Sequence, residues 1–263
     1  MNSYAVKYYG GAGGHFIQEL IIRCETQDTT AGSYTEGHAH YSWGTWARAN
    51  IDHAEKSPDQ HRLKASSSHD FIVTHGGEFH NMMAMYRRDP EHFRMVNLVI
   101  DSPLEMALCE YNHFYKNQRI EFKVNPTDYG LFPHYKNLVS SRYASRDDIT
   151  MPDWETVSTE DMAHILIERT LEHYRTDSIM GIRGSRRYNE LKKIPHRELT
   201  VTEVMEDSQT VLETISALVG KPITNTMRTN CERYMQAQQT LRNNFPAYEL
   251  IKQSYPTWNP LRD

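Results

Sequence analysis

The sequence predicts an α/β fold with a small parallel sheet, helices on both faces, and additional helices beyond them. Three observations predict it. Residues 4–24, YAVKYYGGAGGHFIQELIIRC, read as a strand, a glycine loop and an amphipathic helix. Two further short apolar runs, DFIVTH at 70–75 and RMVNLVI at 94–100, read as buried strands. Helical patterns follow both runs, and strands that alternate with helices pair in parallel.

The first unit runs from a strand at Tyr4–Tyr9 through Gly10-Gly11-Ala12-Gly13-Gly14 to a helix starting at His15. Phe16, Ile17, Leu20, Ile21 and Cys24 fall at helical spacing. Glycines let backbone N–H groups approach an anion, and the helix N-terminus adds unpaired donors and a positive dipole end. The unit therefore fits a three-layer phosphate-loop fold. A plain tight turn between strand and helix is the competing explanation. The pattern G-x-x-x-x-G-K-[ST] is absent, and no Lys follows the glycines, which argues against a nucleotide or sugar kinase that uses magnesium.

The remaining elements follow in order. Residues 26–69 are polar and read as an insertion in a single domain of residues 1–263, with a helix around Thr45–Glu55. After the strand at 70–75, residues 76–92 read as a helix through Phe79, Met82, Met83 and Tyr86. After the strand at 94–100, Ser102 is a helix N-cap with Pro103 in the first turn, and that helix runs to about Lys116. Residues 117–160 hold few clear elements. Ser158 and Asp161 resemble a capping box that opens a helix at about 159–175. Residues 178–200 carry a basic loop, GIRGSRRYNELKK. A helix from Thr202 to Val219 stops at Gly220, another covers 223–243, and the tail from Asn244 reads as irregular. In such a sheet the ligand site lies beyond the carboxyl ends of the strands. The 10–15 loop, His75 and the turn at Asp101–Pro103 fall there.

Composition limits the alternatives. The 263 residues are 38% apolar and 24% charged, which suits a soluble globular protein, and the net charge of -5 gives no general attraction to nucleic acid. Cys24, Cys109 and Cys231 are scattered and odd in number, which predicts a reducing, cytoplasmic setting. No run of about 18 apolar residues exists, so no membrane span is expected. Among the 14 histidines, the His38/His40 and His75/His80 pairs are too few ligands for a metal site, and no metal is expected.

The order of motifs resembles the sulfotransferases that use 3′-phosphoadenosine 5′-phosphosulfate. Tyr9-Gly10-Gly11-Ala12-Gly13-Gly14-His15-Phe16-Ile17 aligns with that family's Y-P-K-S-G-T-T-W-L. Val73-Thr74-His75 aligns with K-T-H, and Asp101 through Tyr111 aligns with R-N-P-x-D-x-x-x-S-x-Y. Ile182-Arg183-Gly184 loosely matches a late R-K-G loop. The resemblance implies sulfuryl transfer to a hydroxyl or amine, with His75 as the base. It also implies donor contacts at Gly11, Ala12, Gly13, Gly14, His15, Phe16, Ser102, Arg183 and Gly184.

The family's loop Lys falls on Gly11, its Thr-Thr pair on Gly14-His15, its 3′-phosphate Arg on Asp101 and its Ser on Cys109. A carboxylate at about 4 Å from a phosphate opposes it by several kcal/mol at an effective dielectric of ~20. Arg183, Arg186 and Arg187 are the compensating candidates. A non-catalytic binding or assembly module on the same fold is the alternative. The 26–69 and 117–160 segments, with Trp43, Trp46, Tyr129, Phe132 and Trp154 beside Arg142 and Arg146, suit a small-molecule or carbohydrate acceptor. Neither nucleic acid nor membrane is an expected partner, and a homo-oligomer is left open.

Overall fold

A computed structural model describes residues 2–27, 71–75, 79–122, 157–176 and 181–258, with the backbone alone at His15, 71–75, 79–81 and 113–122. The elements are β1 (Asn2–Lys7), α1 (Gly14–Thr26), β2 (Phe71–His75), α2 (Phe79–Arg88), β3 (Phe93–Val99), α3 (Pro103–Phe122) and α4 (Thr159–Arg175). They continue with α5 (Arg186–Leu191), β4 (Arg197–Thr200), α6 (Val201–Glu206), α7 (Ser208–Val219), α8 (Asn225–Asn243) and α9 (Tyr248–Ser254).

The four strands form one parallel sheet in the order β2-β1-β3-β4. The three strands expected from the sequence thus pair as expected, and β4 joins them at the edge. Ala5 of β1 lies opposite Thr74 of β2 and Met95 of β3. The central strands are buried on both faces, as parallel strands under helices must be. Tyr4, Val6, Val96 and Leu98 face one core with Phe16, Ile17, Leu20 and Ile21 of α1 and Val211 and Ile215 of α7. Ala5, Phe93 and Met95 face the other with Met82, Leu191 and Ile194. Each fully buried large apolar side chain contributes about 1.5–3 kcal/mol of transfer free energy.

Local chemistry sets the helix ends. Ser102 Oγ accepts from the Glu105 N–H at 3.2 Å, one turn into α3. Ser158 Oγ accepts from the Asp161 N–H at 3.1 Å, but the Asp161 carboxylate returns to the Ser158 hydroxyl, not to its backbone. A reciprocal capping box occurs instead at α6, where Thr200 and Glu203 satisfy each other's backbone N–H groups at 3.1 and 2.7 Å.

The structure corrects four expectations. The segment at 178–200 is not all loop: it contains α5 and β4. RELT escaped detection because it is a four-residue edge strand in which only Leu199 is buried. The Thr202–Val219 helix is two helices broken at Asp207, whose carboxylate caps α7 by accepting from Thr210 N–H at 3.0 Å. The tail from Asn244 is not irregular throughout. It forms α9, held by buried Phe245, Ala247 and Ile251, with Phe245 stacked on Tyr111 at 4.3 Å. The helix after Pro103 extends past Lys116 to Phe122.

The insertion at 26–69, with its helix around Thr45–Glu55, and the 123–156 segment lie essentially outside the described residues, as do the aromatic residues assigned to them. The ends of the first segment are informative. Glu25 accepts from Asn2 Nδ2 at 3.1 Å and from Tyr4 OH at 2.6 Å, so α1 ends beside the start of β1. Phe71 opens β2 opposite Asn2. The chain thus leaves and returns at the amino ends of the strands, not beside the glycine loop.

Candidate functional site

A parallel sheet ordered β2-β1-β3-β4 reverses its winding between β1 and β3. Ligands in such sheets bind at that switch point, beyond the carboxyl ends. The 8–13 loop flanks it on one side and the Ile100–Ser102 turn on the other.

The glycine loop is tightly packed. Gly11 has φ 84°, and a Cβ there would overlap the Cys109 carbonyl oxygen. Asn112 Nδ2 also donates to Gly11 O at 2.7 Å. Gly13 has φ 85°, and a Cβ there would strike the Tyr234 hydroxyl. Packing thus accounts for both glycines, and the turn reading has its physical basis. The loop nonetheless delivers α1 with Gly13 at its N-cap and no side chain in the cap. First-turn N–H groups of a helix are anion donors in general, but here Gly14 and Phe16 are buried residues.

The donor-contact residues expected from the sequence have different fates. Ala12 is buried and its N–H is taken by Tyr9 O at 3.1 Å. Gly14 is buried under the Tyr8 ring, and His15 follows it in the first turn of α1. Phe16 is a core residue, stacked on Tyr234 at 3.9 Å. Ser102 is occupied by capping α3. His75 ends β2 opposite Val6 of β1, and its side chain lies outside the described set.

Arg183 and Gly184 do reach the carboxyl end of β3. Ile182 bridges Ile100, with Ile100 N–H to Gly181 O at 2.8 Å and Arg183 N–H to Ile100 O at 3.0 Å. Gly184 has φ 85° and turns the chain toward α5. Arg183, however, is engaged. Its Nε donates to Asp101, and its Nη1 donates to Glu198 and Tyr188 OH, both at 3.2 Å. Tyr188 OH donates to Glu198 at 2.8 Å, and His196 Nε2 lies 3.2 Å from the same carboxylate. The Asp101 hydrogen bond pushes the Arg183 guanidinium pKa up. Burial, then the Glu198 carboxylate, pushes Tyr188 up to about 12. Burial acts to raise the Glu198 pKa, but the hydrogen bonds from Tyr188 and His196 outweigh it and bring it down.

Two more buried carboxylates brace this end. Glu105 accepts from the Asp101 N–H, from Thr202 N–H at 2.8 Å and from Thr202 Oγ1 at 2.6 Å, tying α3 to α6. Its pKa is raised, chiefly by burial. Glu110 has no solvent exposure and accepts from Tyr9 OH. His173 Nε2 lies 3.3 Å from it and Arg169 Nε 3.4 Å. Burial would raise Glu110, but the His173 and Tyr9 hydrogen bonds and the Arg169 charge overcome it and hold it low.

Sequence reasoning missed Glu105, Glu110, Tyr188 and Glu198 as site-forming residues. Glu105 alone carried a signal, standing where the resembled motif has its Asp.

A cavity of about 510 Å³ lies elsewhere, at the amino ends of β3 and β4, lined in part by Tyr86, Phe93, Arg94, His196 and Arg197. His196 also lies 3.2 Å from Glu198, so this cavity borders the Asp101–Arg183–Glu198 cluster. Among the described residues no group of three or more His, Cys, Asp or Glu could hold a metal ion. No described helix is long and apolar enough to cross a membrane. Comparison with protein-family models, curated proteins and solved structures returned no match.

Proposed function

We propose that this chain is a sulfotransferase-like enzyme on a phosphate-loop fold, working at the crevice between the carboxyl ends of β1 and β3. It would move a sulfuryl group from 3′-phosphoadenosine 5′-phosphosulfate to a hydroxyl or amine. One observation carries the reading: the strand–glycine-loop–helix unit falls at the switch point of the sheet, with no side chain capping α1. The N–H groups of the first turn of α1 suit the 5′-phosphosulfate. In the transfer, the acceptor's lone pair forms the new bond to sulfur as the bond from sulfur to the phosphate oxygen breaks. A base takes the acceptor's proton, and the bisphosphate leaves. The motif order assigns His75 to the base.

The fit is uneven. The 5′ side would rely on the backbone of the first turn of α1, where Gly14 and Phe16 are buried. The 3′ side meets the Asp101 carboxylate, and Arg183 is already held by Asp101 and Glu198. The donor is therefore held mainly through its 5′ end. Titration calorimetry with 3′,5′-adenosine bisphosphate and with adenosine 5′-monophosphate tests this. Binding of both at similar affinity supports it, and binding of neither removes the enzyme reading.

The second reading is a non-catalytic binding or assembly module. The internal ion pairs of Asp101, Arg183 and Glu198 favour it, because they fill with protein charge the corner where the 3′-phosphate would lie. Sulfuryl transfer by wild type that is lost in His75→Ala separates the two. No transfer by either folded protein, with no donor bound, leaves the module.

A further inference from the structure

The cavity of about 510 Å³ at the amino ends of β3 and β4 is open and basic. Strand register explains why it exists. β4 begins at Arg197 opposite Val96, so among the described residues Phe93–Met95 have no strand beside them on that side. One wall of the gap is aromatic: Tyr86 and Phe93 meet edge to face at 6.1 Å. Exposed Pro195 and the last turn of α7, at Ala217 and Leu218, complete the rim.

Arg94 and Arg197 both line the cavity, and both are exposed. No Asp or Glu stands among its described lining residues. Arg197 lies opposite Val96, and Arg94 stands two residues before Val96 on β3, so the two arginines project from one face of the sheet. Strand rise and strand spacing put their Cα atoms about 8 Å apart. Arg94 Nη1 donates to Glu91 O at 2.6 Å and to Phe93 O at 2.9 Å, so backbone carbonyls and not a carboxylate hold this guanidinium. The Arg197 side chain has no ion pair among the described residues. Nearby acids are answered elsewhere: Asp89 by His92, and Glu198 by Arg183, Tyr188 and His196. His196 is a wall only, since its side chain is 6% exposed and Ile194 O and Glu198 engage its two ring nitrogens. Two like charges on one face repel each other, and an anion between them relieves that repulsion.

We propose that this cavity binds a small molecule carrying a phosphate monoester on a flat ring. The phosphate lies between Arg94 and Arg197, and the ring lies against Tyr86 and Phe93. A carboxylate offers two oxygens and satisfies one guanidinium fork. A phosphate monoester offers three oxygens and nearly two charges, enough for both forks. Bare phosphate would leave the aromatic wall uncovered and fill little of a volume that falls within the about 300–1,000 Å³ usual for ligand sites. The inference does not rest on the sulfotransferase reading, because neither arginine belongs to the crevice at the carboxyl ends.

Calorimetric titration with phenyl phosphate, inorganic phosphate and benzyl alcohol tests it. Wild type should bind phenyl phosphate more tightly than inorganic phosphate, and benzyl alcohol not at all. Arg94→Gln and Arg197→Gln should each weaken phenyl phosphate binding at least about tenfold, the loss of a charge-assisted hydrogen bond. Tyr86→Leu should weaken phenyl phosphate binding and leave inorganic phosphate unchanged. Should a glutamine variant fail to fold, Arg197→Lys keeps the charge, removes the planar fork, and should still lower the affinity for phenyl phosphate.

A wild type that binds no phenyl phosphate overturns the proposal. If the thermal midpoint then falls in the arginine variants, the two guanidinium groups serve only the last carbonyls of α7. Binding that survives both arginine substitutions overturns it as well, because the probe then sits elsewhere. So does equal affinity for phenyl and inorganic phosphate, which leaves the ring no role. The probe lacks the adenosine and the second phosphate of the proposed sulfuryl donor, so any of these failures leaves the sulfotransferase reading as it stands.

Discussion

Arg183 hydrogen-bonds Asp101 through Nε while its Nη1 reaches Glu198 at 3.2 Å, so a single guanidinium answers two carboxylates. This pairing decides how the crevice meets an anion. The Arg183 and Asp101 side chains are 43% and 35% exposed, and exposed pairs contribute only about 0–1 kcal/mol. Asp101→Asn should therefore leave the unfolding midpoint nearly unchanged. It should tighten 3′,5′-adenosine bisphosphate binding by roughly five- to tenfold, as a repulsive charge is lost and Arg183 released. Adenosine 5′-monophosphate should change much less. Calorimetry reads both, and equal gains for the two nucleotides would place the 3′-phosphate away from this corner.

The glycines divide by what surrounds them. Gly11 and Gly220 both adopt positive φ, 84° and 77°. A Cβ on Gly11 meets the Cys109 backbone, whereas one on Gly220 meets nothing within 4 Å. Gly220→Ala should cost about 1–2 kcal/mol, the left-handed penalty alone. Gly11→Ala should cost about 2–5 kcal/mol, because overpacking adds to that penalty. Urea unfolding of the two variants gives the comparison, and equal costs would mean that the loop yields freely against α3.

Acid should act on Glu110 and Glu105 with opposite signs. The Glu110 pKa is lowered on folding, so its contribution is present above the unfolded carboxylate value of about 4.3 and is lost as pH falls through the folded value. The Glu105 pKa is raised on folding, so stability is regained as pH falls from its folded value toward the unfolded one. Denaturant midpoints measured from about pH 7 down to about pH 3 should decline less steeply in Glu110→Gln and more steeply in Glu105→Gln, relative to wild type. Parallel curves would show that neither carboxylate governs the acid limb.

All three thiols should be inert in the native state. Burial pushes Cys24 up to about 11, Cys231 up to about 12, and Cys109 well above the ordinary thiol value. The thiolate is the reactive form, so a disulfide reagent at neutral pH should label the protein only as fast as it opens. Rapid labelling of Cys109 in the folded chain would show that the packing of α3 against the glycine loop is loose.

How much of this could be read in advance depends on where the signal lay. β1, β2, β3 and α1 were legible because buried strands and an amphipathic helix advertise themselves by apolar run and spacing. The ends of α4 and α7 followed from Ser158 and Gly220. β4 was not legible, since one buried residue in four makes no pattern, and the break at Asp207 was hidden inside a continuous apolar periodicity. At the site, the position of the glycine loop and of Arg183 followed from motif order. The partners of Arg183 did not, because Glu198 reaches it only through the β3–β4 register. Glu110, Tyr9 and His173 meet through the packing of α4 on α3, and separations of 101 and 63 residues leave no local trace.

The late arrival of β4 has a consequence for how the molecule is made. Its partner strand β3 is synthesised about a hundred residues earlier, and so is Glu105, which waits for Thr202. Until the ribosome has delivered residues 197–202, one edge of β3 has no neighbour. An unpaired apolar edge is a template for joining another chain. The nascent amino-terminal portion therefore passes through a sticky stage that ends only when the segment from Arg197 onward docks. A chain stopped at about residue 190 should collect in aggregates, whereas a chain that includes β4 pairs that edge of β3 itself.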